Sequence, residues 1–160
     1  MAEYTFRRIT RDDYALFKKW LVSPHIEGWW ADAETEIALI EEDWENPAID
    51  MNIVEYKGVP FAYIQDYDAH AYHMPQYSDV PQGARAIDTF LGDPAFLNAG
   101  HGSGYIAQRL AELSPKCPQI VVDPDPKNER AIRAYTRAGF RKSRVTIGED
   151  GDLVQVMVHP

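Results

Sequence analysis

A glycine-rich segment, Gly100-His101-Gly102-Ser103-Gly104, constrains this chain more than any other feature. It follows a predicted strand and precedes apolar residues at helical spacing, Ile106, Leu110 and Leu113. The first turn of a helix carries backbone N–H groups without intrahelical partners, and the helix dipole adds positive charge there. Because glycines let a phosphate approach the backbone closely, the segment is a candidate pyrophosphate-binding site. Taken alone, it is explained equally well by a glycine-rich turn that starts a helix.

Two common nucleotide-binding motifs do not fit this segment. A P-loop has Lys followed by Ser or Thr directly after its last glycine, whereas Tyr105 and Ile106 follow Gly104. A dinucleotide-binding loop belongs to an early strand–helix unit of a parallel sheet. Here the segment comes late, after a hairpin predicted around Lys57-Gly58. Neither a P-loop nor a dinucleotide-binding fold is therefore predicted.

Strand and helix signals alternate along the rest of the chain. Side-chain alternation and apolar runs predict strands at residues 4–9, 51–56, 59–67, 84–91, 119–122, 140–147 and 153–159. Apolar residues at helical spacing predict helices at 10–22 and 34–45, from the glycine segment to about 114, and at 126–138. Residues 69–83 lack periodicity and read as a long loop, which in a small domain is often functional. The pattern indicates an α/β fold in one domain, residues 1–160, with helices interrupting a mostly antiparallel sheet.

Charge excludes some partners and suggests others. The chain has 16 Lys and Arg against 25 Asp and Glu, a net charge of −9. A chain this acidic is not expected to bind nucleic acid or an anionic membrane non-specifically. Residues 1–80 carry a net charge of −10 and residues 81–160 a net charge of +1. The first half could attract a cation and the second tolerate an anion, although most of these charges read as solvated surface.

Cysteine and histidine usage argues against covalent or metal chemistry. The single cysteine, Cys117, excludes an internal disulfide framework and fits a reducing cytoplasm. It has no obvious base nearby, so we expect a small buried side chain rather than a nucleophile. His70, His73 and His101 lack a ligand pattern, so no metal is expected. The chain has no apolar run of membrane-spanning length, and its first ten residues lack a signal-peptide pattern.

Two further motifs follow the glycine segment at a characteristic spacing. They are Val122-Asp123-Pro124 and the run from Asn128 to Phe140, in which an Asn begins a helix and Tyr135-Thr136-Arg137-Ala138-Gly139-Phe140 ends it. Together with the glycine segment, they resemble the GNAT superfamily of acetyl-CoA-dependent N-acetyltransferases. Residues 20–30, 85–91 and 123–128 are similar in particular to bacterial aminoglycoside 6′-N-acetyltransferases. The resemblance runs from Trp20 to Phe140, most of the chain.

The resemblance implies a fold, a reaction and partners. The fold would be a single mixed, mostly antiparallel sheet flanked by helices. The reaction would transfer acetyl from acetyl-CoA, as co-substrate, to a cationic small-molecule amine, without a metal. The protein would be a monomer or homodimer. GNAT loops usually carry Gln or Arg near the position of Ala99, so one side-chain contact to the cofactor is absent while the backbone cradle remains.

The resemblance also assigns roles to particular residues. The backbone of the glycine segment would contact the cofactor phosphates, Asn128 the pantetheine arm, and Tyr135 would donate a proton to the leaving thiolate. A neutral Tyr hydroxyl suits that task. Asp88 would bind the acceptor ammonium and help remove its proton, although an ordinary Asp, with a pKa of about 3.9, is a weak base. The full set of predicted cofactor-binding residues is Ala99, Gly100, His101, Gly102, Ser103, Gly104, Tyr105 and Asn128.

Acceptor-binding residues are predicted from aromatic and acidic side chains. Trp29 and Trp30 are adjacent, so one would pack inward while the other forms an aromatic wall, unless both belong to the core. Tyr135 and Asp88 likewise have simpler explanations, as a packing residue and as a solvent-facing strand residue. The predicted acceptor-binding residues are Trp29, Trp30, Gln65, Tyr67, Asp79, Asp88 and Asp123.

We therefore expect an N-acetyltransferase whose acceptor is the 6′-amine of an aminoglycoside. Hydroxylysine, a polyamine or a peptide amine are alternative acceptors for the same chemistry. A non-catalytic module that binds and senses acyl-CoA is an alternative of another class. The presence of both Asp88 and Tyr135 favours an enzyme over a sensor.

Overall fold

Seven strands form one mixed sheet in the order β1-β2-β3-β4-β5-β7-β6. The computed structural model describes residues 3–160. The strands are β1 (Tyr4–Arg8), β2 (Ile49–Tyr56), β3 (Val59–Asp68), β4 (Arg85–Leu91), β5 (Ile120–Val122), β6 (Arg141–Ile147) and β7 (Leu153–His159). The helices are α1 (Tyr14–Leu21), α2 (Ala33–Glu42), α3 (His101–Leu113) and α4 (Glu129–Ala138). The predicted α/β class is confirmed.

Strand pairing is antiparallel for β1 with β2, β5 with β7, and β6 with β7, and parallel for β4 with β5. The turn between β2 and β3 is built by Lys57 and Gly58, whose φ angles are +50° and +79°. Two consecutive positive φ angles match the twist of a tight hairpin, so the hairpin predicted at this dipeptide is confirmed.

Several predicted helix boundaries are wrong, and side-chain capping explains one of them. α4 begins at Glu129 rather than Pro126, because the Asn128 side chain caps the helix by accepting from the backbone N–H of Ala131 at 3.2 Å. α3 begins at His101, so Gly102 and Gly104 lie in its first turn rather than in a loop before it. A separate 3-10 turn, Arg11–Asp13, precedes α1.

The chain divides into two compact units. The first unit comprises the chain up to Gln65 together with Thr89–His101, and the second comprises Asp66–Asp88 and Gly102–Pro160. The expectation of a single domain over residues 1–160 stays a prediction. Among residues 3–160, no helix combines the length and apolarity needed to cross a bilayer.

Aromatic side chains pack the core of the first unit. The ring centroids of Phe17 and Tyr63 lie 5.1 Å apart, and those of Trp30 and Phe90 lie 4.8 Å apart, both edge to face. Gly92 follows β4 directly beneath Trp20, where an added Cβ would lie 2.2 Å from the indole. Only glycine fits there, so the backbone after β4 passes against the core without displacing the tryptophan.

A buried ion-pair network organises the second unit. Asp66 on β3 is fully buried, and its carboxylate accepts from Arg85 on β4 and from Arg109 on α3, each at 2.8 Å. A buried carboxylate is costly unless it is paired and hydrogen-bonded, as this one is. The network therefore fixes α3, whose N-terminus is the glycine segment, against the two strands. It also neutralises Asp66, which leaves this carboxylate unsuited to bind a cationic substrate.

Candidate active site

Asp88 lies on β4, and Asp123 directly follows β5, the parallel strand beside it. β4 and β5 pair with Arg85 opposite Ile120 and Ala86 opposite Val121. Continued by two residues, the same register brings Asp88 opposite Asp123, just beyond the end of β5. Because side chains alternate across a strand, both carboxylates belong to the face that carries Ala86 and Val121. The charge of Asp88 acts on Asp123 strongly enough to shift its protonation.

The protonation of Asp123 depends on burial and on like charge. Burial, followed by the negative charge of Asp88, raises the pKa of Asp123 to about 7. The nearby Glu149 acts in the same direction, whereas a hydrogen bond donated by Gln76 opposes the shift. Asp123 therefore changes charge near neutral pH, as residues of functional sites often do.

Gln76, on a 3-10 turn at Pro75–Tyr77, connects two of these acids. Its side-chain Nε2 donates to Asp123 Oδ2 at 2.8 Å and also to Glu149 Oε2. Gln76 is fully buried, whereas Glu149 is exposed in the turn between β6 and β7. We call Asp88, Asp123, Glu149 and Gln76 the acidic cluster.

Two buried tyrosines accompany the acidic cluster. Burial, then the charges of Asp88 and Asp123, raise the pKa of Tyr67 well above its ordinary value, and its hydroxyl is hydrogen-bonded to Asp88. Burial and Asp123 likewise raise the pKa of Tyr77. Both hydroxyls thus stay protonated at neutral pH.

Tyr135 occupies the buried face of α4, with its ring 5.6 Å from that of Phe140. Burial, then Tyr105 and the charges of Asp88 and Asp123, raise its pKa well above the ordinary value. The phenol therefore remains neutral and retains a proton to donate. Because the charges of Asp88 and Asp123 affect the pKa of Tyr135, this residue shares the electrostatic environment of the acidic cluster.

The start of α3 presents backbone rather than side chains to a ligand. Gly100 has a φ of +82°, and a Cβ added there would meet nothing within 4 Å, so the approach to this backbone is open. The next backbone N–H groups, those of His101 and Gly102, lie in the first turn of α3, where helix geometry supplies no intrahelical carbonyl. These groups fit the phosphates of a coenzyme A thioester, because a helix N-terminus favours negative charge.

The imidazole of His101 packs in an aromatic cluster and is not available to bind cofactor phosphates. Its ring lies among Tyr4, Tyr56, Phe61 and Phe96, at centroid distances between 4.8 and 6.0 Å. Its Nδ1 shares a 3.0 Å hydrogen bond with the Tyr4 hydroxyl. The side chain anchors the first residue of α3, which leaves the backbone of this position to contact a ligand. Asn128 similarly uses its side-chain oxygen as the cap of α4.

The remaining predicted acceptor residues have diverse surroundings. Trp30 packs on Phe90 while Trp29 is 45% exposed, so the two indoles separate as adjacent residues were expected to. Gln65 accepts a 2.7 Å hydrogen bond from the Tyr63 hydroxyl. Asp79 is exposed and pairs with Arg144 at 3.1 Å, which offsets its charge.

The structure gathers four of the predicted residues in the second unit and adds three. Tyr67, Asp88, Asp123 and Tyr135 share one electrostatic environment. Gln76, Tyr77 and Glu149 join them without having been predicted. The sequence signal for Gln76 and Tyr77 was their place in the aperiodic segment 69–83, whereas Glu149 resembled any acidic turn residue.

Cys117, expected to be buried, is partly exposed, and burial still raises the pKa of its thiol. Among residues 3–160, no group of three or more His, Cys, Asp or Glu could hold a metal ion.

The acetyltransferase (GNAT) domain family matches residues 10–146, and the chain belongs to this family. Aminoglycoside N(6′)-acetyltransferase type 1 of Klebsiella pneumoniae is 30% identical, over 96% of this chain and 81% of that protein. A lysine N-acyltransferase of Mycolicibacterium paratuberculosis is 23% identical, and the match spans 81% of this chain but 61% of that protein. The structure of AAC(6′)-Ib with ribostamycin and coenzyme A aligns with a TM-score of 0.80 and 28% identity, over 99% of this chain and 93% of that one. The predicted GNAT fold is thereby confirmed.

Proposed function

We propose that this acetyltransferase transfers the acetyl group of acetyl-CoA to the 6′-amine of an aminoglycoside. The observation that carries the proposal is that Asp123 and Glu149 share one buried glutamine while the negative charge of Asp88 acts on Asp123. Within residues 3–160, no Lys or Arg forms an ion pair with Asp123 or Glu149. A group of carboxylates of this kind suits an acceptor that carries several positive charges. The similarity to the Klebsiella pneumoniae enzyme supports the same acceptor class.

Acetyl-CoA would be held by the backbone at the start of α3, with the open approach at Gly100. When bound, it supplies a thioester carbonyl that is activated for attack by an amine. Asn128 and Tyr135, at the start and on the buried face of α4, would contact the arm that carries this thioester. The ion pairs of Asp66 with Arg109 fix α3 and so fix the direction of this backbone cradle.

The reaction needs one proton removed and one proton delivered. An ammonium group must lose a proton before its nitrogen can form a bond to carbon, and Asp88 would accept this proton, directly or through water. As the carbon–sulfur bond breaks, the thiolate takes a proton, for which the neutral Tyr135 hydroxyl is suited. Buried polar groups close to the developing charge would lower the barrier further.

A thiol-release assay tests this proposal. Acetyl-CoA is offered with ribostamycin, kanamycin, hydroxylysine, spermidine and a peptide with a free amine, and acetylated products are located by NMR. The proposal expects turnover with the aminoglycosides and acetylation at the 6′-amine. Turnover with hydroxylysine alone would replace the acceptor and keep the reaction.

The same assay separates an enzyme from a sensor. Acetyl-CoA binding without thiol release from any amine would leave a sensing module as the function. For this case, calorimetry with acetyl-CoA gives the binding measurement independently of turnover.

We further propose that the enzyme is cytoplasmic, which the single cysteine fits. It would be a monomer or homodimer with no nucleic-acid or membrane partner.

A further inference from the structure

Trp29 is an exposed aromatic residue in a protein that covers its other aromatic rings. Its side chain is 45% exposed. Among residues 3–160, every other Phe, Trp and Tyr is buried or half-buried. A single exposed apolar side chain is common on protein surfaces. Whether this indole has a function therefore depends on how firmly the backbone beneath it is held.

The backbone that carries Trp29 forms a tight turn. The N–H of Trp29 donates to the carbonyl of Ile26 at 2.9 Å, which closes a turn through Glu27 and Gly28. Gly28 has a φ of +93°, the conformation that a type II turn requires at its third residue. The Ile26 side chain is buried, so the first residue of the turn is anchored in the core. The turn therefore presents the indole from a defined backbone conformation.

Two contacts hold this turn against the end of β4. Before the turn, His25 Nε2 lies 2.8 Å from the backbone oxygen of Leu91, the last residue of β4. A carbonyl oxygen can only accept, so the imidazole nitrogen donates this hydrogen bond. After the turn, the Trp30 ring packs edge to face on Phe90, with the centroids 4.8 Å apart. The turn is thus attached on both sides to two consecutive residues of β4.

The two contacts differ in how precisely they fix the turn. The ring contact of Trp30 with Phe90 is apolar, and such contacts have little directionality. The hydrogen bond from His25 has a preferred length and angle. It is also partly buried, so water competes with it less than at an open surface. His25 is therefore the side chain that sets where the turn lies along β4.

We propose that His25 is a positioning residue, which holds the Ile26–Trp29 turn so that the Trp29 indole forms a preformed wall for the acceptor. This inference rests on the proposed function and adds a residue to it. An indole face suits an aminoglycoside, because it packs against a sugar ring and attracts a nearby ammonium group. A wall that is ordered before the acceptor arrives lowers the entropy cost of binding, so His25 raises affinity without touching the acceptor.

Variants of His25 and Trp29 test the inference. His25→Phe keeps an aromatic ring but removes the donor to Leu91, whereas His25→Gln can place an amide N–H near the position of Nε2. Ser23→Ala is the matched control, because it removes a hydrogen bond of the same segment, donated to the Lys19 carbonyl at 3.4 Å, that does not reach β4. Calorimetry measures the Kd of ribostamycin and of acetyl-CoA, and thermal melts give the Tm of each variant.

The expected result is a loss of acceptor affinity that passes through Trp29. Trp29→Ala should raise the Kd of ribostamycin by about 10-fold and His25→Phe by about 5-fold, as the loss of a cation–π contact allows. His25→Gln and Ser23→Ala should stay within about 2-fold of the wild type. The double variant of His25→Phe and Trp29→Ala should bind no more weakly than Trp29→Ala alone, because no indole is left to position.

Two further measurements separate positioning from a purely structural role. At saturating ribostamycin, kcat of His25→Phe should fall by less than about 3-fold while KM rises by about 5-fold, because the variant weakens binding and leaves the proton transfers intact. Ribostamycin should also shield tryptophan fluorescence from acrylamide in the wild type and in His25→Gln. This shielding should be absent in Trp29→Phe, since Trp29 is the exposed indole.

Four outcomes would overturn the inference. These are an unchanged ribostamycin Kd in His25→Phe, an equal loss in Ser23→Ala, no recovery in His25→Gln, and single effects that multiply in the double variant. If His25→Phe fails to fold, His25→Asn, whose amide is too short to reach Leu91, takes its place. Failure of the proposed function is seen in the wild type instead, as ribostamycin binding without thiol release from acetyl-CoA. A wild type that does not bind ribostamycin would overturn both.

Discussion

The proposed donor and acceptor regions of this protein are built in opposite ways. The start of α3 offers backbone groups from one continuous segment, Gly100 to Gly104. The acidic cluster instead brings together side chains from β4, the 3-10 turn at Pro75–Tyr77, the end of β5 and the turn after β6. A backbone site tolerates side-chain changes but depends on φ and ψ. A side-chain site depends on the identity of each residue and on the packing that brings them together.

Removing the carboxylate of Asp88 should have the largest effect. We expect Asp88→Asn to lower kcat by about 10³-fold, within the range typical of a lost general base. The Kd of acetyl-CoA, measured by calorimetry, should not change, because the donor region uses backbone groups from another segment. Near-normal turnover in this variant would remove Asp88 from the mechanism.

Removing the hydroxyl of Tyr135 should have the next largest effect. Tyr135→Phe keeps the ring that packs against Phe140 but removes the proton offered to the leaving thiolate. We expect kcat to fall by about 10²-fold with little change in thermal stability. Tyr14→Phe removes another buried tyrosine hydroxyl, in the first unit, and serves as the control. Equal losses in the two variants would mean that Tyr135 acts through packing alone.

A backbone change should affect the donor region only. Gly100 has a φ of +82°, so Gly100→Ala introduces strain of roughly 1–2 kcal/mol in the required conformation. We expect the KM of acetyl-CoA to rise by about 10-fold at most, with the acceptor KM unchanged. Gly100→Asn, which tolerates the left-handed region better, should lose less. An effect on the acceptor KM instead would remove the separation between the two regions.

The raised pKa of Asp123 should make stability depend on pH. Its ordinary value of 3.8 rises to about 7 in the folded protein, so folding favours the protonated carboxyl. This contribution is fully present below about pH 4 and is lost as the pH rises through 7. Asp123→Asn should therefore gain in Tm relative to the wild type between pH 5 and pH 8, by roughly 5 °C.

Thermal melts of both proteins across this pH range provide the measurement. The variant should also bind ribostamycin more weakly, since it lacks one carboxylate of the acidic cluster. A constant difference in Tm from pH 5 to pH 8 would mean that Asp123 ionises normally in the folded state.

The fold was predictable to the extent that its signals are local. Lys57-Gly58 predicted a hairpin because two adjacent residues decide the turn, and the structure confirms it with two positive φ angles. The start of α4 was misplaced by three residues, because a side-chain cap at Asn128 competes with the propensity of the preceding residues. Asp66 looked like any other acid in the sequence, and only its pairing with Arg85 and Arg109 identified it as a structural residue.

By itself, the sequence determined the family and was enough to propose the donor region, since both rest on short continuous motifs, the glycine segment and the run from Asn128 to Phe140. Tertiary structure alone decided how the acidic cluster is composed. Gln76 and Glu149 are 73 residues apart in the sequence, and the Gln76 amide donates a hydrogen bond to the Glu149 carboxylate. No local sequence pattern predicts this contact. The reason is physical: backbone conformation follows from neighbouring residues, whereas the pKa and pairing of a buried side chain follow from whatever the fold packs around it.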